Sequence, residues 1–512
     1  MSAAMLTADW FLLGRELYYR KFEIYSMAWH QEINLENYIA SSASYGGPIA
    51  IRRDDQKFVK VQGTGQPIIS IFSGSGKQIA SFKWTRRPIV YMGWSNDEKL
   101  ICVQEDGMVV IHDMFGKYLH TFAISQKVQD AKVIDAKIFI SPQNFTGIAV
   151  MTSNFKIFLV HNIQEPKTRQ LSELPRSSMQ PTCWSVISEE STEVLIARGL
   201  ELYRLKQDEH LTSAMLEPDI TNKYTSILEM AVSLNARHLA LCGNEAVVLY
   251  WERDSTLLVV GKYGQKMLYS YDGTVHLVPE IDGVRIVSNT QHELLQKVPE
   301  VVQKIFRINS TDPGSFLLEA SKQFQKGSHK ANEYICLVKN DLQTAVNQCI
   351  EAVGYEFDTE VQKMLIRAAQ FGKCFVADMR SDSYVYMCRL LRVLNAVRDP
   401  KVGIPLTVTQ YPFFLKPLYV KLKCMKKKEQ GLLDRLITRN NYYLALQIAK
   451  YLKMPEKEGS SHILVHWAKY KVSQSQLEEE TVAREIAEKL GYTSGISYSE
   501  IASTASEYGR KN

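Results

Sequence analysis

A chain of 512 residues exceeds what one hydrophobic core supports, because cores stop growing at about 250 to 300 residues, so at least two large domains are expected. Its 45% hydrophobic, 23% charged and 10% aromatic content excludes an intrinsically disordered chain. The net charge of +6 belongs to the second part, where residues 291–512 carry 32 Lys+Arg against 24 Asp+Glu, while residues 1–290 carry 29 against 31, which disfavours polyanion binding by the first part.

No run of 18 or more apolar residues occurs, so no segment is expected to span a bilayer and any membrane contact is expected to be peripheral. The opening MSAAMLTADWFLLG lacks a basic leader and places Asp9 before its short apolar stretch, unlike a signal peptide, so a cytoplasmic chain is expected. The eight cysteines (Cys102, Cys183, Cys242, Cys336, Cys349, Cys374, Cys388 and Cys424) form no CxxC and sit in apolar surroundings, which reads as reduced core thiols without disulfides or structural zinc. In that compartment the sequons at Asn144 and Asn309 are chance matches.

From about residue 14 to 290 the chain is a series of short β-type runs in which apolar residues mostly alternate: Ile68–Phe72, Leu100–Gln104, Val109–His112, Gly147–Met151, Lys156–Val160, Glu201–Leu205 and Ala246–Tyr250. Gly- and Asp-rich turns separate them, at Gly74–Gly76, Asp106-Gly107, Asp272-Gly273 and Asp282-Gly283. A strand pair ending in an aromatic residue or His recurs at Leu100–His112, Ile148–His161, Val194–Tyr203 and Leu239–Tyr250. That spacing of about 45 residues fits a four-stranded propeller blade, not the hairpin spacing of a sandwich. About six units fit between residues 45 and 290, and Glu16–Tyr25 is expected to complete a seventh, because ring closure removes exposed sheet edges.

After Thr290 the apolar spacing changes to three and four. Helices are expected over His292–Ile308, Gly314–Gln325, Ala331–Val338, Asp341–Ala352, Thr359–Phe371, Ser383–Val397, Gly431–Thr438, Tyr442–Leu452, His462–Lys471, Leu477–Leu490 and Tyr498–Ala505. Most are short and are separated by Gly/Pro breaks, which predicts stacked antiparallel pairs, not a coiled coil. The expected fold is therefore all-β then all-α: a β-propeller of about seven blades over residues 1–290 and an α-helical solenoid over 291–512.

Catalytic and cofactor motifs find little support. Ser73-Gly-Ser-Gly-Lys77 has Ile71 and Gln78 where a phosphate-binding loop needs Gly and Ser or Thr, so it reads as a hairpin turn. His462 and His466 stand one helical turn apart without the Glu of a zinc hydrolase, and read as helix packing. No G-x-S-x-G elbow occurs, and no catalytic, cofactor-binding or metal-binding residue is assigned. Between Lys401 and Lys453 there are eleven Lys+Arg and two acidic residues; Lys421, Lys423, Lys426, Lys427 and Lys428 are the candidate contact for an acidic partner or anionic lipid headgroups. The aromatics nearby lie among prolines in an expected inter-helix connection, which argues against nucleic acid.

Several stretches resemble the vacuolar protein sorting-associated protein 16 family: Thr7–Tyr25 (TADWFLLGRELYYRKFEIY), Gly46–Ile51 (GGPIAI), Leu390–Arg398 (LLRVLNAVR), Leu436–Leu446 (LITRNNYYLAL) and the segment His462–Glu488. The resemblance implies a class C core subunit shared by the HOPS and CORVET tethering complexes. Such a subunit is a cytoplasmic scaffold, peripheral on the cytosolic face of early endosomes, late endosomes and lysosomes, that supports SNARE-mediated fusion and works with small GTPases and the other class C subunits. Family members continue for several hundred residues beyond Tyr508–Asn512, so a truncated helical region is expected here, with the site for a Sec1/Munc18-type subunit beyond residue 512. A coat-type or intracellular-transport scaffold shares this layout, and propellers also host hydrolases around their central channel; only the quoted stretches separate the first of these readings.

Overall fold

The computed structural model describes residues 7–14, 17–29, 33–55, 57, 66–175, 179–188, 191–199, 201–206, 212–214, 246–261, 264–376, 381–411, 430–474, 478–491, 493 and 495–510. The β strands build six small antiparallel sheets among the described residues. One sheet joins β3 (Tyr38–Ser42), β4 (Ile49–Arg53), β5 (Ile68–Phe72) and β6 (Gln78–Lys83), and the next joins β7 (Ile89–Trp94), β8 (Leu100–Gln104), β9 (Met108–His112) and β10 (Tyr118–Ala123). A third holds β11 (Val133–Ile140), β12 (Thr146–Thr152), β13 (Ile157–Val160) and β14 (Thr168–Gln170), and a fourth β15 (Cys183–Ser188), β16 (Thr192–Arg198), β17 (Glu201–Lys206) and β18 (Thr212–Ala214). The fifth holds β19 (Ala246–Trp251), β20 (Thr256–Gly261) and β21 (Lys266–Ser270).

The sixth sheet closes the ring. It pairs β22 (His276–Glu280), β23 (Gly283–Val287) and β24 (Gln291–Lys297) with the amino-terminal β2 (Tyr18–Ser26) and β1 (Trp10–Leu12), in the order β1-β2-β24-β23-β22. The register runs from Tyr19 opposite Lys297 to Ser26 opposite Gln291, so the two ends of the β region hydrogen-bond to each other. The sequence pattern places Glu16–Tyr25 in a seventh unit that closes the ring; β2 does pair with the last strand of the β region, but within the sixth of the six sheets among the described residues.

Hydrophobic cores lie between five pairs of neighbouring sheets among the described residues, as face-to-face blade packing requires. Ile71, Trp84 and Trp94 pack with Leu100 and Val110 between the first two sheets, and Ile101, Val109 and Ile111 pack with Ile148 and Phe158 between the second and third. Leu159 and Trp184 join the third and fourth sheets, Val248 and Ile286 the fifth and sixth, and Ile49, Phe72 and Val287 the sixth and first. The result is a β-propeller. Several of its middle strands are buried at every position, as in Leu100–Gln104 and Thr146–Thr152. The expected alternation gives way there, because a strand flanked by two neighbouring blades has no solvent face.

Twelve α helices occur among the described residues: α1 (Gln126–Ala131) within the β region, then α2 (Glu300–Phe306), α3 (Pro313–Gln325), α4 (Lys330–Leu337), α5 (Leu342–Gly354), α6 (Thr359–Lys373), α7 (Asp382–Arg398), α8 (Gln430–Thr438), α9 (Tyr442–Tyr451), α10 (Ser460–Ser473), α11 (Glu479–Leu490) and α12 (Tyr498–Glu507). The helix expected over His292–Ile308 starts only at Glu300. Gln291–Lys297 is a strand, since Leu294 and Leu295 are drawn into the closing sheet. The other expected helices fall within two or three residues of their observed bounds. Their ends carry local signals: Pro313 begins α3, the Asp358 carboxylate accepts from the Glu360 N–H at α6, and Asn440 with φ +58° separates α8 from α9.

The chain divides into two compact units, Met1–Tyr384 with Val397–Leu406, and Val385–Ala396 with Thr407–Asn512. In the first, α3, α5 and α6 pack through Leu317, Ala345, Val346, Val353, Leu365 and Ala369, all buried. In the second, Leu464, Ala468, Val472, Val482 and Ile501 form a core of α10, α11 and α12. The cysteines depart from the expected pattern. Cys102 and Cys349 are buried, with burial holding both thiols up at about 12, but Cys336 and Cys374 are exposed.

Candidate functional site

Ser73–Lys77 is the hairpin turn between β5 and β6: the Lys77 carbonyl accepts from the Ser73 N–H at 2.8 Å and Gly76 has φ +78°. It holds no phosphate cradle. Its backbone is used by a later segment of the same unit, where Gly74 N donates to Gly403 O at 3.2 Å and Ser75 Oγ to Pro400 O at 2.7 Å. From the other side His292 on β24 contacts the Gly74 carbonyl through Nδ1 at 2.6 Å. His292 is fully buried, and burial pulls its pKa down to about 3, so the ring is neutral and Nδ1 carries the donated proton.

The turn is one corner of a polar joint between the closing blade and the helices. Arg20 on β2 pairs with Glu356 at 2.9 Å and donates to the Tyr355 carbonyl at 2.7 Å, just past the end of α5. Two residues along the same strand, Phe22 lies 5.0 Å from Phe357, and Tyr25 donates its hydroxyl proton to the Arg398 carbonyl at 2.7 Å. Arg398, the last residue of α7, turns its guanidinium back over the Phe357 ring at 3.8 Å and donates to Leu406 O at 2.7 Å. Burial lowers its pKa to about 10, which still leaves it charged at neutral pH. A charge buried this way is stable only while all its partners are in place.

The close approach demands glycine. Gly403 has φ +68°, and a Cβ there would lie 2.9 Å from the Ser73 Cβ; Gly46 has φ +67°, and a Cβ there would lie 2.6 Å from the Pro405 ring. Next to the joint, a second buried ion pair fastens the ring. Glu280 and Arg285, both buried, are bonded to each other; Glu280 accepts from the Tyr45 N–H at 2.8 Å, and Arg285 donates to Ala43 O at 2.8 Å. Burial raises the Glu280 pKa against the pull of Arg285. Three of the stretches singled out in the sequence therefore meet at one place: Thr7–Tyr25 supplies Arg20, Phe22 and Tyr25, Gly46–Ile51 supplies Gly46, and Leu390–Arg398 supplies Arg398.

The other candidates behave differently. His462 and His466 on α10 stack edge to face at 4.7 Å, and His462 Nε2 lies 3.2 Å from the Asp434 carboxylate on α8. Burial, then the neighbouring His462, lowers the His466 pKa. This is a helix-packing contact; among the described residues no group of three or more His, Cys, Asp or Glu is arranged to hold a metal ion. No helix among the described residues is long and apolar enough to cross a membrane. Lys421, Lys423, Lys426, Lys427 and Lys428 lie outside the described residues.

A family model described as "Vps16, N-terminal region" matches residues 6–245 and 241–386. The vacuolar protein sorting-associated protein 16 homolog of Drosophila melanogaster is 35% identical over 98% of this chain and 63% of its own length. Protein VACUOLELESS1 of Arabidopsis thaliana is 31% identical over 100% of this chain and 63% of its own length. The chain thus spans 63% of the length of these curated relatives. Among solved structures, virginiamycin B lyase from Staphylococcus aureus aligns with 55% of this chain and 99% of its own, at 10% identity and a TM-score of 0.36, a likeness too slight to bear on function.

Proposed function

The chain belongs to the Vps16 family, and from that membership we propose that it is a non-enzymatic scaffold subunit of a membrane-tethering complex of the HOPS and CORVET type. Relatives named for vacuolar protein sorting support the sorting role. The finer assignments rest on what the family resemblance implies: endosome, lysosome and autophagosome fusion, contact with the other class C subunits, service to SNAREs and small GTPases through the complex, and a place on the cytosolic face of those organelles. The Sec1/Munc18-type subunit would dock on helical structure beyond residue 512. Lys421, Lys423, Lys426, Lys427 and Lys428 would add a contact to an acidic partner or to anionic headgroups.

The observation that carries this reading is the joint. Arg20, Glu356, Tyr25 and Arg398 lock a blade of the ring to the helices that follow it with buried, charge-assisted bonds, as a rigid platform requires. A rigid platform raises the effective concentration of one tethered site for the next, so modest individual contacts suffice to hold two membranes together. Removing the protein from cells is expected to stall delivery of endocytosed cargo to lysosomes. Unimpaired delivery would contradict the proposal.

A further inference from the structure

In the sheet ordered β10-β9-β8-β7, β7 lies beside β3 and β11, so β10 is the outer strand. β10 pairs with β9 on one side, and among the described residues no backbone hydrogen bond reaches its other side. A row of N–H and C=O groups is left there, a template that a second extended chain can satisfy. The molecule fills one such edge itself. In the closing sheet β1 adds as a fifth, outermost strand, with Trp10, Phe11 and Leu12 opposite Arg20, Tyr19 and Tyr18.

Outer edges are ordinarily blunted by charge, by shortness or by a bulge. β6 ends in Lys83, β14 is three residues long and carries Arg169, and β21 begins at Lys266, all three cations exposed. β10 is six residues long, Tyr-Leu-His-Thr-Phe-Ala, and contains no acid, lysine, arginine or proline. Tyr118 is 45% and Leu119 39% exposed, so apolar surface accompanies the open backbone. A register shift between Tyr118 and His120 leaves Leu119 without a partner on β9. From His120 to Ala123 the pairing with Ile111–Met108 is regular, a longer run than the three residues of β1.

The edge itself specifies its occupant. Open backbone groups are satisfied by another extended backbone, an uncharged strand favours uncharged side chains opposite it, and β1 is an apolar, aromatic tripeptide that adds to a blade of this ring. We propose that the outer edge of β10 docks a short extended segment of a partner protein, apolar or aromatic and uncharged at the residues that pair, which adds as a fifth strand of this blade. This goes beyond the tethering reading and does not depend on it.

The test uses the full chain and, as probe, a synthetic peptide of its own strand-adding segment, Thr7–Gly14 (TADWFLLG), with backbone hydrogen–deuterium exchange as the readout. Saturating peptide is expected to slow exchange about tenfold over residues 118–123 and to leave β6 and β21 unchanged. L119K/A123K places two cations at exposed positions of the edge and is expected to lose this protection. L119T/A123T, uncharged at the same positions, is expected to keep binding within about twofold of the parent, which separates the effect of charge from a folding defect. The proposal is overturned if the peptide protects nothing, if it protects only β2 by exchanging with β1, if β6 and β21 respond as strongly as β10, or if L119K/A123K binds like the parent. A concentration-dependent dimer in ultracentrifugation that the same lysine pair abolishes would assign the edge to a second copy of this chain and equally overturn it.

Discussion

Arg398 and His292 use burial in opposite ways. The Arg398 guanidinium is kept charged by the Leu406 carbonyl, the Glu356 carbonyl and the Phe357 ring, so its loss would orphan several partners at once. His292 and His112 are kept neutral instead: both are buried, and burial lowers their pKa values to about 3 and about 4. In the unfolded chain each would titrate near 6.5. Between those values the unfolded state binds the extra protons, so the stability these residues contribute is complete above pH 6.5 and falls as pH drops towards 4, by about 1.4 kcal/mol per pH unit for each histidine. The thermal midpoint is accordingly expected to decline between pH 7 and pH 5, and the decline to be shallower in H292N. Equal slopes for parent and variant would show that His292 is not held neutral. None of this was legible in the sequence, because an isolated His carries no sign of its burial, and Arg20 and Glu356 stand 336 positions apart.

At the scale of elements, periodicity located what burial repeats. The recurring pairs at Leu100–His112, Ile148–His161 and Val194–Tyr203 are the second and third strands of successive blades, and they stand out because neighbouring blades cover both faces of β8, β12, β13 and β16. The six-residue α1 was missed, since Gln126–Ala131 contributes one buried side chain, Val128, too little to set a period. Leu294 and Leu295 fit either spacing, so β24 reads from the sequence as the start of a helix, and only pairing with β2 and β23 decides between the two. Ser73–Lys77 was read correctly as a turn, but its partner at Pro400–Gly403 was out of reach of any local pattern. That partnership makes a prediction at this scale. In G403A the new Cβ meets Ser73 and adopts a positive φ, whereas in G327A it adopts a similar φ of +68° with nothing within 4 Å. The first substitution is expected to cost about 2 to 3 kcal/mol and the second about 1 kcal/mol in chemical denaturation. Equal costs would mean that the turn and the 400–403 segment are not in contact.

For the whole molecule, the joint explains why the three family-like stretches, scattered over nearly 400 positions, belong together: Thr7–Tyr25 supplies the closing blade, Gly46 a turn of the first blade against Pro405, and Arg398 the end of α7. Fold class was legible because two periods, one of strands and one of helices, follow each other along the chain. Function was legible only through those stretches, since no constellation of side chains announces a scaffold. A platform is recognised by what it holds. Affinity purification of the chain from cell extract, followed by mass spectrometry, therefore tests the account most directly. It predicts recovery of the other class C tethering subunits in comparable amounts. Recovery of the chain alone, with those subunits present in the extract but absent from the eluate, would contradict it.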